Sequence, residues 1–470
     1  MSAPATTEKK YLKWYQKLAY GSGDLASNCS YGLVSSFVLL YLTGTLGLDS
    51  AIIGSLMLAS KVLDGISDVI FGTLIDRTHS KLGKARPWML FGQVGVSLCL
   101  FLLFAIPAGS TTMQYIYFFI VYTALNAVFY TANGIAYSSL VALITKNNNE
   151  RVQLGSFRFM FAVVTNIFMG FAVTGMVEKF GSGAAGWRTT ALIFAIVGLV
   201  VNTISCLAVK ELPEEELSDN TSEAAEEGKA VAKEKKHGFA ETAKILIHNK
   251  YYLMILAIYI VYYIMSNLTT GAGVFCATYY WGDGSLLGQF SMMKMFPVII
   301  ALAIAPVLIK KTGSMQKVNF WGYAISSVLG IPMIYFAMQK NISMFLLFMF
   351  IKGIFAGTLS GSLNALIAEA SGYTTRTTGI HMDGMMYSCS SLGVKVGGGI
   401  GTAAVGWLLK LGGFVGTATV QSESAIKMIF NLYITFPFVI GIIITVLLAF
   451  LDVEKANKKW DAEHQKEAQA

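Results

Sequence analysis

The chain has 470 residues, of which 54% are hydrophobic and only 13% are charged, and its formal net charge is +8. Soluble globular proteins carry about 25% charged residues. The composition therefore argues against a soluble enzyme or a disordered protein, and it predicts a membrane protein. The five cysteines are scattered through apolar stretches without metal-ligand spacing, so we expect them to pack as small apolar side chains.

Twelve stretches are long and apolar enough to cross a bilayer, for which about 20 mostly apolar residues are needed. They cover 18–46, 51–75, 88–107, 113–144, 155–178, 187–209, 251–280, 286–309, 318–338, 343–369, 379–409 and 425–451. The polar, basic start of the chain does not have the pattern of a cleavable secretion signal. We expect an all-α polytopic membrane protein with twelve transmembrane helices.

Lysine and arginine concentrate in alternate connecting segments. Basic clusters lie within 9–17, 77–86, 146–151, 310–317, at Arg376 and in 455–466, whereas the other connections hold only Lys179, Arg188, Lys340, Lys410 and Lys427. Cytoplasmic loops of membrane proteins are enriched in these residues. The bias places both termini in the cytoplasm and explains the basic net charge without a nucleic-acid partner.

A hydrophilic segment over 210–250 divides the twelve spans into six and six. We predict four parts: an N-terminal six-helix bundle over 1–209, a cytoplasmic central loop over 210–250, a C-terminal six-helix bundle over 251–451 and a cytoplasmic tail over 452–470. Two bundles of six around a charged loop match the major facilitator fold, whose halves are parallel repeats. This step depends on hydropathy, because the two halves show no clear sequence repeat.

Several ionisable residues fall inside the predicted spans. They are Asp24, Lys61, Asp64, Asp68, Arg158, Lys294, Lys352, Glu369, His381, Asp383 and Lys395. Such groups cost several kcal/mol in a bilayer and usually mark a pathway, a partner or a substrate.

The second span carries the most informative group. Asp64 and Asp68 are four residues apart and share one helix face with Lys61. Two buried carboxylates stay ionised only with a cation between them, unless a proton neutralises one. Oxygen ligands suit H⁺ or Na⁺, and Ser67 and Thr131 could add hydroxyls. The alternative is a structural Lys61–Asp64 ion pair.

Two further helix faces are polar. The first span presents Asp24, Asn28, Tyr31 and Ser35 at helical spacing, and such groups hydrogen-bond a polyhydroxylated substrate. The alternative is polar contact between neighbouring helices. The eleventh span carries Lys395 on a face of small and polar residues, so we expect a partner from another helix or from substrate.

Gly399-Ile-Gly401 resembles a dinucleotide fingerprint, but it lies in a long apolar helix, where close packing explains it better.

The segment Gly72-Thr-Leu-Ile-Asp76-Arg77-Thr-His-Ser-Lys-Leu-Gly83-Lys84-Ala-Arg86-Pro87-Trp88 joins the second and third spans. It resembles the corresponding loop of the glycoside–pentoside–hexuronide:cation symporter family of the major facilitator superfamily, which includes melibiose permease. Further motifs agree in order along nearly the whole chain: Tyr20-Gly-Ser-Gly-Asp24, Asp64-Gly-Ile-Ser-Asp68, Glu150-Arg151 through Arg158, and Gly379-Ile-His381-Met-Asp383 through Lys395.

The resemblance implies roles for matching positions. Asp24 and Arg158 correspond to sugar-binding residues, Asp64 and Asp68 to cation-binding carboxylates, Thr131 to a cation-site threonine, and Lys395 to a lysine needed for coupling. Three positions depart from the family pattern. Gly134 stands where melibiose permease has an aspartate that serves cation and sugar, Ser138 stands where it has a tryptophan, and His381 stands where an arginine is usual.

We therefore expect a multi-pass plasma-membrane transporter, a monomer without cofactor or enzymatic activity, that takes a sugar, glycoside or hexuronide into the cell by alternating access. Substrate would contact Asp24, Asn28, Tyr31, Arg158 and Lys395; the cation would bind Asp64, Asp68, Ser67 and Thr131; Lys61, Asp76, Arg77 and Asp383 would serve gating and coupling. We favour H⁺ over Na⁺ as the coupling ion, since Lys61 already supplies a fixed cation and the fourth span lacks a carboxylate. The alternatives are an uncoupled facilitator, a carrier of another amphiphile such as a lysolipid, and a polytopic membrane enzyme.

Overall fold

The structure, a computed structural model, describes residues 9–213, 245–380, 382–418 and 420–467, and the regular structure in these ranges is helical, without a strand. Within them, twelve long helices and a tail helix follow one another. They are α1 Trp14–Thr45, α2 Ser50–Asp76, α3 Arg86–Leu103, α4 Thr111–Ile144, α5 Asn148–Lys179, α6 Gly183–Leu207, α7 Lys250–Trp281, α8 Leu286–Thr312, α9 Met315–Met338, α10 Ile342–Thr378, α11 Asp383–Leu411, α12 (segments Glu423–Phe430, Asn431–Thr435 and Phe436–Phe450) and α13 Val453–Glu467.

The outer faces of these helices are apolar. Large side chains such as Val69, Phe91 and Trp321 are mostly exposed, which suits lipid rather than water. In the described ranges, eleven helices are long and apolar enough to cross a membrane. The remaining predicted span is α2, a helix of 27 residues that carries Lys61, Asp64 and Asp68. The prediction of an all-α multi-pass membrane protein is confirmed.

The first of two compact units comprises residues 1–48 and 59–236. In it, α1 packs against α5 and α6, and α3 packs against α4 and α6. Its core holds Tyr20, Met89 and Tyr137, all fully or almost fully buried. A Cβ atom at Gly21 would lie 2.6 Å from the Cβ of Phe157, so only glycine lets α1 and α5 approach this closely.

The second compact unit comprises residues 49–58 and 237–470. In it, α7 packs against α11 and α12, and α10 packs against α8 and α9. A Cβ atom at Gly401 would lie 2.6 Å from the carbonyl oxygen of Ile264, which agrees with close helix packing as the role of the α11 glycines.

The division differs from the predicted one at the start of α2, because residues 49–58 pack within the second unit. There the hydroxyl of Ser50 donates to the carbonyl of Gly406 (2.9 Å), and Lys410 pairs with Asp49 (2.6 Å). The tail predicted over 452–470 begins with α13, and most of the central loop predicted over 210–250 lies outside the described residues.

Four short segments inside the described helices are π-helical. They are Tyr41–Thr45 in α1, Ala124–Tyr130 in α4, Cys276–Trp281 in α7 and Asn431–Thr435 in α12. A π turn holds an extra residue and often occurs at a functional site. The segment in α4 ends immediately before Thr131, one of the predicted cation ligands.

Candidate substrate and cation site

An ion pair joins α1 to α5 in the first unit. The Nε atom of Arg158 lies 2.6 Å from Oδ2 of Asp24, and the two side chains are 26% and 17% exposed. The guanidinium of Arg158 also lies over the ring of Tyr137, 4.2 Å from its centroid. Charge-assisted hydrogen bonds of this length are strong, and the remaining N–H groups of the arginine can bind hydroxyl oxygens of a substrate.

Two tyrosines hold this pair in place. The hydroxyl of Tyr20 donates to the backbone carbonyl of Tyr137 (2.5 Å), and the hydroxyl of Tyr137 lies 2.7 Å from the carbonyl of Tyr20 and 3.4 Å from Oδ2 of Asp24. A Cβ atom at Gly23 would lie 2.8 Å from the Tyr137 ring. The sequence Tyr20-Gly-Ser-Gly-Asp24 therefore lets the α4 ring pack directly beneath the Asp24–Arg158 pair.

The rest of the polar face of α1 has mixed contacts. The Nδ2 atom of Asn28 donates to the carbonyl of Asp24 (2.7 Å), and its Oδ1 accepts from Asn166 of α5 (2.9 Å). Tyr31 stacks on Tyr130 of α4, with ring centroids 5.4 Å apart. Asn28 therefore makes the predicted polar contact between neighbouring helices, since it links α1 to α5.

The charged residues of α2 lie beside a second feature, a cavity of about 260 Å³ in the first unit. It is lined by Tyr31, Lys61, Asp64, Asp68, Asn126, Tyr130, Thr131, Gly134 and Ile135. The Nζ atom of Lys61 lies 3.3 Å from Oδ2 of Asp64 and 5.8 Å from the centre of the Tyr31 ring. Tyr31 therefore connects the polar face of α1 with the carboxylates of α2.

Thr131 completes this cluster from α4. Its Oγ1 lies 2.7 Å from Oδ1 of Asp64 and 2.9 Å from the carbonyl of Asn126, within the π-helical segment. Asp64 thus has a different partner on each oxygen. At Gly134, a Cβ atom would meet nothing within 4 Å outside its own helix, so this wall of the cavity has space for a side chain.

Other predicted residues lie elsewhere. The hydroxyl of Ser67 donates to the carbonyl of Asp64 (2.9 Å), within its own helix, and Ser67 is not among the residues that line the cavity. Asp76 and Arg77 are exposed at the end of α2. Lys395 is half-buried on α11 in the second unit, and the side chain of Asp383 lies outside the described residues.

Several site residues were not predicted from sequence. Tyr137, Asn126, Tyr130 and Asn166 carry no charge, and a single tyrosine or asparagine in an apolar helix gives no signal that separates a ligand from a packing residue. Across the described ranges, no group of three or more histidine, cysteine, aspartate or glutamate side chains could hold a metal ion.

Comparisons with known proteins identify the family of this chain. Residues 19–455 match a protein family described as MFS/sugar transport protein. The isoprimeverose transporter of Lactiplantibacillus pentosus is 26% identical over 478 residues, which cover 100% of this chain and 96% of the relative. A putative glycoside/cation symporter of Escherichia coli K12 is 24% identical over 432 residues, or 91% and 90% of the two chains.

A solved structure shares the fold. A bacterial homologue of the human lysosomal transporter Spinster, in an inward-facing and unoccupied conformation, superposes with a TM-score of 0.67. The match covers 95% of this chain and 98% of the other, at 12% sequence identity. At that identity the likeness concerns the fold alone.

Proposed function

The chain belongs to the MFS/sugar transport protein family, and we propose that it is a symporter that carries a sugar or glycoside into the cell together with a cation. The resemblance to the glycoside–pentoside–hexuronide:cation symporters is confirmed by the family match and by the names of the relatives. The observation that carries the proposal is the cluster of Lys61, Asp64 and Thr131 beside Asp68, in one cavity of a membrane helix bundle.

The sugar site in this proposal is the Asp24–Arg158 pair on its Tyr137 support. A carboxylate accepts hydrogen bonds from sugar hydroxyls, and a guanidinium donates to their oxygens. The pair can therefore serve a hydroxyl both as donor and as acceptor. The ring of Tyr137 restrains Arg158 before substrate arrives, which reduces the entropy lost on binding. Asn28 and Tyr31 extend the same face of α1.

The coupling ion in this proposal is a proton. Lys61 already occupies one oxygen of Asp64, and Thr131 lies at the other. A sodium ion would have to displace Lys61 or bind without Asp64. Gly134 adds no further carboxylate from α4. A proton needs only one carboxylate. Asp68 lies one helical turn from Asp64 and lines the same cavity.

Tyr31 gives the two sites a physical connection. It belongs to the sugar-facing side of α1 and lies 5.8 Å from Nζ of Lys61. Protonation of Asp68 would change the electrostatic environment of Lys61 and hence of Tyr31. Sugar and proton together would lower the cost of exchanging between states that open to either side of the membrane.

Uptake by energised membrane vesicles tests this proposal. We expect addition of a transported glycoside to make the external medium more alkaline, and we expect Asp68→Asn to abolish this response while glycoside counterflow persists. Glu178→Gln is the matched control, because Glu178 is an exposed carboxylate at the end of α5. Stimulation of binding by Na⁺ at fixed pH would overturn the choice of proton, and uptake without any ion dependence would overturn symport.

A further inference from the structure

A second cavity, of about 190 Å³, lies within the second unit, between α7, α8, α9, α10 and α12. Two lysines from neighbouring helices line it, Lys294 on α8 and Lys352 on α10. None of the described residues that form its wall carries a carboxylate. Positive charges in a membrane-spanning bundle without an acidic neighbour are costly, and such groups usually serve a substrate or an ion.

Lys294 has only neutral partners. Its Nζ atom lies 3.2 Å from Oγ1 of Thr269 and 3.2 Å from Oγ1 of Thr270, both on α7. A hydroxyl accepts a hydrogen bond from an ammonium but does not neutralise its charge. Each ammonium has three donors, so Lys294 keeps one donor for a group in the cavity.

Lys352 has no hydrogen bond or ion pair in the described part of the chain. It adjoins the place where α10 crosses α8, because a Cβ atom at its neighbour Gly353 would lie 2.8 Å from the Cβ of Pro297 and 3.6 Å from the carbonyl of Met293. Met293 in turn precedes Lys294. The close packing of these two helices therefore brings both lysines to the same cavity.

A third donor lines the cavity without a partner. Tyr323 on α9 is only 2% exposed, and its hydroxyl makes no hydrogen bond to any described residue. Buried hydroxyls are normally satisfied, and an unsatisfied one costs about 1–3 kcal/mol. Three donors on three helices thus surround a space whose wall offers no charged acceptor.

We propose that this cavity binds a chloride ion, which Lys294, Lys352 and Tyr323 hold as the counter-ion of the second unit. A halide accepts hydrogen bonds from N–H and O–H groups and has no hydrogen to donate, so it fits a site of three donors. Lysine side chains also line anion-selective sites in other membrane proteins. The single charge favours chloride over phosphate or sulfate, because the cost of desolvating an ion rises with the square of its charge.

The site is complete within one unit. Its three donors all belong to residues 237–470, so binding requires nothing from the Asp24–Arg158 pair or from the cavity beside Asp64. The proposal is therefore independent of the sugar and of the coupling ion. An ion that binds the folded protein but not the unfolded chain raises the melting temperature as its site fills.

Melting of the purified full-length protein in lipid nanodiscs tests the proposal. The protein is placed in potassium methanesulfonate, which is then replaced stepwise by potassium chloride at constant ionic strength. We expect the melting temperature of the wild type to rise with chloride and to reach a plateau, and bromide to reproduce this rise. Broadening of the ³⁵Cl NMR line by the protein, reversed by bromide, reports binding directly.

Variants of the three donors give the expected pattern. Lys294→Gln and Lys352→Gln should each weaken the apparent chloride affinity by about tenfold or more, and Tyr323→Phe by about tenfold, the effect of one hydrogen bond to a charged group. Lys352→Arg should retain the response. Lys310→Gln is the matched control, because it removes an exposed lysine from the same helix as Lys294 and should leave the response unchanged.

The double variant Lys294→Gln with Lys352→Gln separates a counter-ion site from a general salt effect. It should not respond to chloride. In methanesulfonate it should melt at a higher temperature than the wild type, since it no longer carries two charges without a counter-ion. A chloride response that persists in this variant would overturn the proposal, because salts also act on protein surfaces in general.

Two results with the wild type would also overturn the proposal. A melting temperature and a ³⁵Cl line that do not respond to the protein–chloride pair would show that the lysines lose their protons instead of binding an anion. Equal stabilisation by acetate and by chloride would exclude a halide site. Glycoside binding is measured on the same preparations, so failure of the chloride site and failure of the proposed sugar transport give different results.

Discussion

Glu211 and Glu454 make the same kind of contact in the two units. Glu211 follows α6, and its carboxylate accepts hydrogen bonds from the amides of Lys84, Ala85 and Arg86 at the start of α3 (2.7, 2.9 and 3.0 Å). Glu454 follows α12, and its carboxylate accepts from the amides of Met315 and Gln316 at the start of α9 (2.8 and 3.1 Å). In each unit, therefore, a glutamate four residues after the end of the sixth helix caps the start of the third.

This correspondence supplies the internal repeat that the amino-acid sequence does not display. Four amides at the start of a helix lack partners within the helix, and a carboxylate there satisfies two or three of them and complements the helix dipole. One glutamate is enough for the purpose, so the surrounding residues can differ between the halves. The equivalence is visible only once the chain has folded.

The two caps should contribute similarly to stability. We expect Glu211→Ala and Glu454→Ala each to lower the free energy of unfolding by about 1 kcal/mol, the usual effect of losing a helix cap. Thermal melts of the purified protein in one detergent provide the comparison, with the exposed Glu178→Ala as control. A melting temperature unchanged in both cap variants would show that water replaces the carboxylates at no cost.

The Asp24–Arg158 pair should be required for binding rather than for folding. We expect Asp24→Asn and Arg158→Ala each to weaken glycoside binding by about a hundredfold or more, since truncation also leaves the other charge half-buried and unpaired. Tyr137→Phe should have a smaller effect, because it keeps the ring beneath Arg158. Titration calorimetry on monodisperse protein measures these affinities, and unchanged affinity in either charge variant would remove that residue from the site.

Lys395 should serve transport rather than assembly of the helix bundle. We expect Lys395→Ala to abolish accumulation of substrate against a gradient while the protein still inserts and purifies as a folded species. The lysine is half-buried on a helix face rich in serine and glycine. Accumulation and counterflow assays in vesicles separate coupling from binding. Aggregation of the variant in mild detergent would instead indicate a structural role.

The Asp49–Lys410 contact gives a pH-dependent contribution to stability. Burial alone would raise the pKa of Asp49, but hydrogen bonds from Lys410 and from the amides of Ala51 and Ile52 outweigh it and hold this pKa below its ordinary value. A group with a lowered pKa stabilises the fold fully above its unfolded pKa, about 3.9 for aspartate. That contribution is lost as the pH falls through the lower pKa of the folded state.

We therefore expect Asp49→Asn to lower the melting temperature by a constant amount between about pH 5 and pH 8, and by progressively less below about pH 4. Lys410 is largely exposed, so the effect should stay below about 1 kcal/mol. Lys410→Met should give a loss of similar size. A difference between wild type and Asp49→Asn that grows on acidification would contradict the assignment.

Hydropathy and charge predicted much of this fold because both follow directly from the bilayer. The twelve stretches correspond to twelve helices, and the loop motif between α2 and α3 identified the family. In the site, charged residues were predictable since a buried charge is conspicuous in an apolar helix. Asp24 and Arg158 are in contact, as are Lys61 and Asp64, although the roles of these residues stay predictions.

Neutral partners could not be predicted in the same way. Tyr137 contributes to the site because its ring lies beneath Arg158, and no periodicity in α4 distinguishes it from other buried aromatics. Lys294 and Lys352 are isolated charges in the sequence, but the crossing of α8 and α10 at Gly353 brings both to one cavity of the second unit. Such relationships arise from packing between helices distant in sequence, which hydropathy does not encode.

The π-helical segment Ala124–Tyr130 decides which side chains of α4 face the cavity. The residues after this segment are rotated about the helix axis by about 100°, the angle of one residue, relative to an uninterrupted α-helix. If α4 closed as an ordinary helix with all its residues, Thr131 would turn away from Asp64, whereas deleting one residue of the segment, such as Ala127, would remove the wide turn and keep the threonine beside the carboxylate. The extra residue in this segment thus sets which face of α4 meets the carboxylate of α2.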